Sequence, residues 1–406
     1  MFRFSSQPRR AVTALAATAG ALCLAATMTP SGAQATVLQA AGNVSPWAYQ
    51  AGGGTNTFTV DQAVAQAQKF DIIAGNRLTY RNASAAMHTA NPNLNLLAYV
   101  NGAYAQKSEG TAYPDSWYLR TRSGAKVRSN GWGNYLMNVA NDGWIHDVAN
   151  RCLQSINNYG YDGCFIDMMG TASVMDFWTS GAPINPATGQ EYTVQEWLGL
   201  TSALSAEVHT LVGSSTPVYV NGLGAGPRYF AAQGPTSQLL AGIDGALAES
   251  WMRGGEQPLS YFPSEKQWLQ NVDMLTDVSA RGKTALVTVK TWGAGTADQV
   301  RAWHVYSLAS FLMASDGRSQ YSFLPTRNDT TSGDSLLTSL HIGVPTGAYA
   351  KVGGVYQRTF TNGRVLVNPT KVTVTVPLDK TYTTTSGNAV QSVTLTPNDA
   401  EILTAS

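Results

Sequence analysis

The sequence predicts an α/β protein, a (β/α)8 barrel followed by a small C-terminal antiparallel β-sandwich. Three observations carry that prediction. Between residues 42 and 324, short apolar runs alternate about eight times with amphipathic helical stretches, the rhythm of parallel strands joined by crossover helices in a barrel of about 250 residues. Beyond Gly343 the helical period stops, and only β-rich segments cut by Gly, Pro and Asn remain. Two of the apolar runs, Asp162–Asp167 and Ile243–Glu249, end in an acid, and the C-terminal strand edge is where β/α folds build their sites.

With 406 residues the chain exceeds the roughly 250–300 at which single cores stop growing, so one large and one small domain are expected. Residues 1–35 read as an export signal. Arg3, Arg9 and Arg10 precede an apolar run from Ala11 to Ala26, and Ala33-Gln34-Ala35 offers a small-residue cleavage site. The barrel is placed at 36–342 and the sandwich at 343–406. Charged residues make up 13%, about half the usual share, with Gly, Ser, Thr and Asn in their place, which suits a secreted protein. The net charge of +1 includes the three arginines of the signal, so the remainder is mildly negative and no nucleic-acid partner is expected. No stretch after the signal reaches the roughly 18 apolar residues of a membrane span, so no membrane anchor is expected.

The elements follow in order. Residues 43–49 predict a first strand, 59–69 a helix, 70–74 a strand, 84–90 a helix and 94–100 the next strand. Residues 101–141 form a long connection rich in Gly, Asn and aromatics, Trp117 and Trp132 among them, and connections of that length inside domains are usually functional. A helix over 143–159 carries Ile145, Val148, Ala149, Cys152, Leu153 and Ile156 on one stripe. It leads into the fourth strand, which ends at Asp167. Helices are then predicted over 194–212, 229–240, 265–280 and 297–313, and strands over 217–221, 243–249, 284–290 and 320–324. The sandwich strands are expected at 347–360, 364–368, 372–378, 381–385 and 393–395.

Side-chain alternation makes the fourth strand testable. If Asp167 faces inward, Gly163 and Phe165 share its face, while Cys164 and Ile166 turn outward toward the helix that carries Cys152. In an oxidising compartment Cys152 and Cys164 would then form a disulfide, the alternative being two buried thiols.

Glycosidic hydrolysis usually needs two carboxyl groups, one protonated to donate to the leaving oxygen and one ionised as nucleophile or base. Asp167 and Glu249, ending strands four and six, have that chemistry: Asp167 is expected as nucleophile or base and Glu249 as general acid. An Asp after a strand is also a common helix N-cap or turn residue, and Glu249 could simply pair with Arg253. Tyr99, Asn101, Asn221, Trp251, Lys290 and Trp292 fall at or just past predicted strand ends and are candidate sugar-binding residues, although aromatics there are also ordinary barrel caps. The five histidines are scattered without metal-ligand spacing, and the carboxyl chemistry needs no cofactor, so neither a catalytic metal nor a cofactor is expected. No Gly-x-Ser-x-Gly elbow or Gly-x-Gly-x-x-Gly loop follows a predicted strand.

Trp117-Tyr-Leu-Arg-Thr-Arg-Ser-Gly124, Asp162-Gly-Cys-Phe-Ile-Asp167 and Tyr356-Gln-Arg-Thr-Phe-Thr-Asn-Gly-Arg-Val-Leu-Val-Asn-Pro369 together resemble secreted glycoside hydrolases of the hypothetical glycosyl hydrolase 15 type. That group is related to barrel enzymes of the endo-α-1,4-polygalactosaminidase and α-galactosidase-like kind. The resemblance implies a (β/α)8 barrel, a C-terminal β-sandwich and an acid pair on strands four and six, here Asp167 and Glu249. The expected activity is cleavage of a polysaccharide or oligosaccharide. A non-catalytic carbohydrate-binding barrel and a transglycosylase are the alternatives.

Overall fold

The computed structural model describes residues 47–50, 58–175, 177–293, 295–326 and 340–405. The expected export signal and residues 43–46 of the first expected strand lie outside them. Eight strands run parallel, each beside the next in chain order: β1 (Trp47–Gln50), β2 (Ile72–Asn76), β3 (Asn95–Asn101), β4 (Gly163–Asp167), β5 (Val218–Asn221), β6 (Gly245–Ala248), β7 (Thr284–Lys290) and β8 (Gln320–Leu324). β1 returns to lie beside β8, and the Trp47 indole donates across the lumen to the Val287 carbonyl at 3.0 Å.

Around this sheet run α1 (Val60–Ala67), α2 (Ser84–Ala90), α3 (Asp142–Tyr159), α4 (Val194–Val212), α5 (Gly226–Tyr229), α6 (Glu265–Ala280) and α7 (Ala297–Ala314). Four of them begin in a way the sequence encodes directly. Thr59, Thr193, Ser264 and Thr296 each cap a helix, and Gln62, Glu196, Gln267 and Gln299 reach back from the third helical position to close the capping box. Replacing such a cap by Ala costs about 1 kcal/mol. α3 ends at Gly160, whose φ of +68° is the left-handed stop that glycine adopts without steric cost.

The period of two along each strand separates two cores. Trp47, Ile72, Ala74, Leu97, Phe165, Tyr219, Leu247 and Leu286 fill the lumen. Cys164, Ile166, Val218, Val220, Ala246, Ala248, Val287 and Val289 pack outward under the helices. Gly245 faces the lumen where a Cβ would stand 2.5 Å from the Tyr219 ring, so the larger neighbour fills the space that the glycine leaves. Cys164 lies on the outer face as the alternation requires and is bonded to Cys152 of α3, with Cα atoms 5.9 Å apart.

The helix expected over 229–240 is replaced by α5 and a separate 3-10 turn over Thr236–Leu240. Gly234, at φ +60°, and Pro235 break it, and propensity over the flanking residues does not overcome that pair.

The C-terminal region is a six-stranded antiparallel sheet of β9 (Ala350–Val352), β10 (Val355–Phe360), β11 (Gly363–Asn368), β12 (Val374–Thr383), β13 (Ala389–Leu395) and β14 (Asp399–Ala405), ordered β9-β10-β11-β14-β12-β13. A register shift between Pro377 and Tyr382 lets the long β12 bend, so the sheet folds over a core of its own built from Val355, Leu366, Val376, Tyr382, Val393, Leu395 and Leu403. Its other face, through Phe360, Val365, Val367 and Ile402, joins the barrel core under α7. Arg358 reinforces the junction by donating to the Leu312 and Ser315 carbonyls at the C-terminal end of α7, at 2.8 and 2.7 Å. The strand over Asp399–Ala405 is not predicted by its residues, because Asp399, Ala400 and Glu401 carry little β signal. Among the described residues no helix is long and apolar enough to cross a membrane.

Candidate active site

At the mouth formed by the strand C-termini, inward-facing positions of β3 to β7 change from apolar to polar within one step. Leu97 gives way to Tyr99 and Asn101, Phe165 to Asp167, Tyr219 to Asn221, Leu247 to Glu249, and Leu286 to Thr288 and Lys290. The register aligns Asn101 of β3 with Asp167 of β4.

Asp167 is 8% exposed and accepts three hydrogen bonds. Tyr99 donates its hydroxyl to Oδ2 at 2.6 Å, the Asn221 amide donates to Oδ1 at 2.9 Å, and the Met168 backbone N–H donates to Oδ1 at 2.8 Å. Met168 makes its bond from φ +66°, a backbone region costly for a side chain with a Cβ and often found at functional sites. Asn101 shapes the loop behind this acid. Its Oδ1 accepts from the Ala103 and Tyr104 N–H groups at 3.1 and 2.7 Å, while its amide reaches the Tyr99 oxygen at 3.4 Å.

Glu249 sits opposite, with 40% of its side-chain surface open, and pairs with Lys290 at 2.6 Å. The Lys290 ammonium also lies 4.8 Å from the centre of the Trp292 ring, so the ring helps to hold the cation in place. Gly255 makes room for that ring, since a Cβ there would come within 2.3 Å of it. The second hydrogen of the Asn221 amide goes to Glu249 Oε2 at 3.0 Å. One nitrogen thus bridges both carboxylates and keeps their nearest oxygens within about 6 Å of each other.

These environments shift the two acids in opposite directions. Burial pushes Asp167 above the usual carboxylate range, and the charge of Glu249 adds to that, with the three donors opposing only in part. Burial also pushes Glu249 upward, but the Lys290 charge and hydrogen bond, together with Asn221, outweigh it and leave Glu249 below its ordinary value. Tyr99 is raised well above its usual range by burial and by the neighbouring Asp167, so it is a proton donor that keeps its proton.

Of the eight expected site residues, seven meet here: Tyr99, Asn101, Asp167, Asn221, Glu249 and Lys290 in one hydrogen-bonded chain, with Trp292 against Lys290. Trp251 does not. It is fully buried, its indole donates to the Asn271 carbonyl at 3.0 Å, and it packs edge-on against Phe311 of α7, so it is a core residue and not a sugar platform. The chain turns at Glu249–Met252, and strand alternation no longer describes where a side chain two residues past the strand end points. Arg253 is not the partner of Glu249 either, because its guanidinium lies 4.9 Å over the Trp303 ring and donates to the Gln257 carbonyl.

Two cavities flank the pair. One of about 1080 Å³ opens beside Tyr99 and Asn101 and extends to Lys107, Trp132 and Arg151. The other, about 270 Å³, is lined by Asn221 and Glu249 and bounded by Met168, Trp178 and Arg228. Trp178 and Arg228 have no periodic signal in the sequence, since Trp178 lies in the irregular loop after β4 and Arg228 in the single-turn α5 that follows β5. Among the described residues no group of three or more His, Cys, Asp or Glu side chains could hold a metal ion.

A parallel eight-stranded barrel thus carries a polar, carboxylate-bearing mouth at its C-terminal face, where barrel enzymes build their sites. Residues 78–364 match the family model described as hypothetical glycosyl hydrolase family 15, and the chain belongs to that family. It is accordingly a glycoside hydrolase. Among solved structures, the chain is similar in fold to Eubacterium rectale Amy13B (9% identity, 90% of this chain and 96% of that one, TM-score 0.51). It is likewise similar to an α-amylase from Malbranchea cinnamomea (11% identity, 91% and 97%, TM-score 0.50). A Paenibacillus cycloisomaltooligosaccharide glucanotransferase also matches, at 14% identity and a TM-score of 0.43, and the chain spans 55% of its length. No curated protein sequence matches the chain.

Proposed function

We propose that the protein is a secreted, retaining glycoside hydrolase acting on a poly- or oligosaccharide, with Asp167 as nucleophile and Glu249 as acid and base. The observation that carries this reading is the shared Asn221 amide. Nearest oxygens within about 6 Å lie nearer to the spacing of double displacement, for which carboxyls stand about 5–5.5 Å apart, than to the about 6.5–9.5 Å that gives an inverting water its room. In the first step Asp167 bonds to the anomeric carbon while Glu249 gives its proton to the departing oxygen. In the second, Glu249 takes a proton from water, which displaces Asp167.

The division of roles rests on access. Asp167 is enclosed and held by three donors, as suits a nucleophile that must not wander. Glu249 is open to the cavity, as suits a group that must exchange protons with leaving group and water. In these surroundings Glu249 is the more acidic of the two, so the reactive arrangement, with the proton on Glu249, is the minor form of the singly protonated pair. A substrate hydroxyl that draws Lys290 away from Glu249 would favour it. Export is supported by the signal-like segment 1–35 and by the Cys152–Cys164 bridge, because disulfides persist in oxidising compartments.

Asp167→Asn is expected to lower hydrolysis by on the order of 10⁴-fold with the unfolding midpoint nearly unchanged, and proton NMR of the first product to show retained anomeric configuration. Full activity in Asp167→Asn, or an inverted first product, would sink the assignment. A binding barrel without catalysis would release no new reducing ends from any glycan.

A further inference from the structure

The two cavities share a wall that the acid pair does not use. Trp132, 62% exposed, stands at the edge of the larger cavity. Trp178 borders the smaller one and meets Trp132 edge-on, with ring centres 5.5 Å apart. Phe177, 69% exposed, continues the row at 6.5 Å from Trp178. Folded proteins seldom leave adjacent large aromatics in water without a use for them, and here they border both cavities beside the proposed reaction centre.

The row is held in shape. Asn130 donates its backbone N–H to the Trp178 carbonyl at 2.9 Å and its side-chain amide to the Phe177 and Thr179 carbonyls at 3.1 and 3.0 Å. Ser180 returns a hydrogen bond to the Arg128 carbonyl at 2.8 Å. Two loops, one before α3 and one after β4, are thereby zipped together, and the rings are presented at little further ordering cost.

From this arrangement we propose that Trp132, Trp178 and Phe177 form a stacking platform for a polysaccharide chain that crosses the mouth from one cavity to the other and is cut internally. The faces of sugar rings carry C–H groups that pack on aromatic rings while their hydroxyls stay hydrated or meet the polar lining. One cavity reaches Tyr99 and Asn101 beside Asp167 and the other reaches Asn221 and Glu249, which leaves the chain room to continue in either direction from the bond being cut. The proposal rests on the hydrolase reading for its cleavage step and not for its binding step, and the two can fail separately.

The test uses the Asp167→Asn protein in native gels cast with xylan, mixed-linkage β-glucan, polygalacturonate, chitosan or dextran. At least one polymer is expected to retard it. In that background Trp132→Ala with Phe177→Ala should weaken the retardation about tenfold, corresponding to about 1.4 kcal/mol, with an unchanged unfolding midpoint. Trp132→Phe with Phe177→Tyr should restore most of it, and Val372→Ala, exposed in the bend before β12, should leave it intact. Undiminished retardation in the double Ala variant, or none by any of the polymers, overturns the platform. With the polymer that binds, the wild type should lower solution viscosity well before reducing ends accumulate, and release of small sugars without that drop overturns internal cutting. Hydrolysis surviving in Asp167→Asn would count against the catalytic assignment while the gels still report on the platform.

Discussion

On the β3–β4 side of the mouth the acid is enclosed and surrounded by neutral donors, whereas on the β6–β7 side it is open and faces a cation. Tyr99, Asn221 and the Met168 N–H hold Asp167 without supplying a charge, so burial dominates and its proton affinity rises. Lys290 supplies a full charge at 2.6 Å from Glu249, and there the cation overcomes the partial burial of a half-open side chain. The contrast teaches that hydrogen bonds alone do not set the protonation state of a buried carboxyl, and that the side of the site with the cation keeps the anion. Asn221 belongs to both halves and is the only described side chain bonded to both acids.

The contrast can be broken most severely at that bridge. Asn221→Ala removes one donor from each carboxylate and should cost about 10²-fold in kcat, the scale of losing one well-placed donor, measured by reducing-end release. A loss of less than about threefold would mean that the bridge is not needed to hold the pair. A smaller effect is expected from Tyr99→Phe, which takes one donor from Asp167 and should lower the rate about tenfold. Because Asp167 is the weaker acid of the pair, the alkaline limb of its pH–rate profile should move to higher pH. Lys290→Met acts on the opposite half and should change the maximal rate least. Without the cation Glu249 becomes harder to ionise, so the acid limb should move to higher pH. If Lys290→Met leaves the acid limb in place, the ion pair does not set the state of Glu249. If Tyr99→Phe moves the acid limb instead, the order of the two acids is reversed.

Much of this was legible in the chain. Alternating apolar periods indicate the barrel, four Ser/Thr-x-x-Glu/Gln boxes mark helix starts, and the period of two in Asp162–Asp167 places Asp167 and Cys164 on opposite faces. These are local signals, and local sterics and hydrogen bonding are sufficient to produce them. Where the signal weakens, so does the reading. Gly234-Pro235 splits an expected helix, Trp251 turns into the core two residues past its strand, and the strand over 399–405 is paired by its neighbours in spite of its own composition.

By itself, then, the sequence determined the order of strands and helices, the parity that points Asp167 inward, and the two acids as the residues to test. Only the tertiary structure decided that one amide joins them, that Lys290 and not Arg253 pairs with Glu249, and that Trp132 and Trp178 meet across separate loops. The physical reason is distance along the chain. A period of two or 3.6 residues repeats within a single element, whereas the charge on Glu249 depends on a lysine of the next strand, and that proximity exists only once the sheet has curled into a barrel.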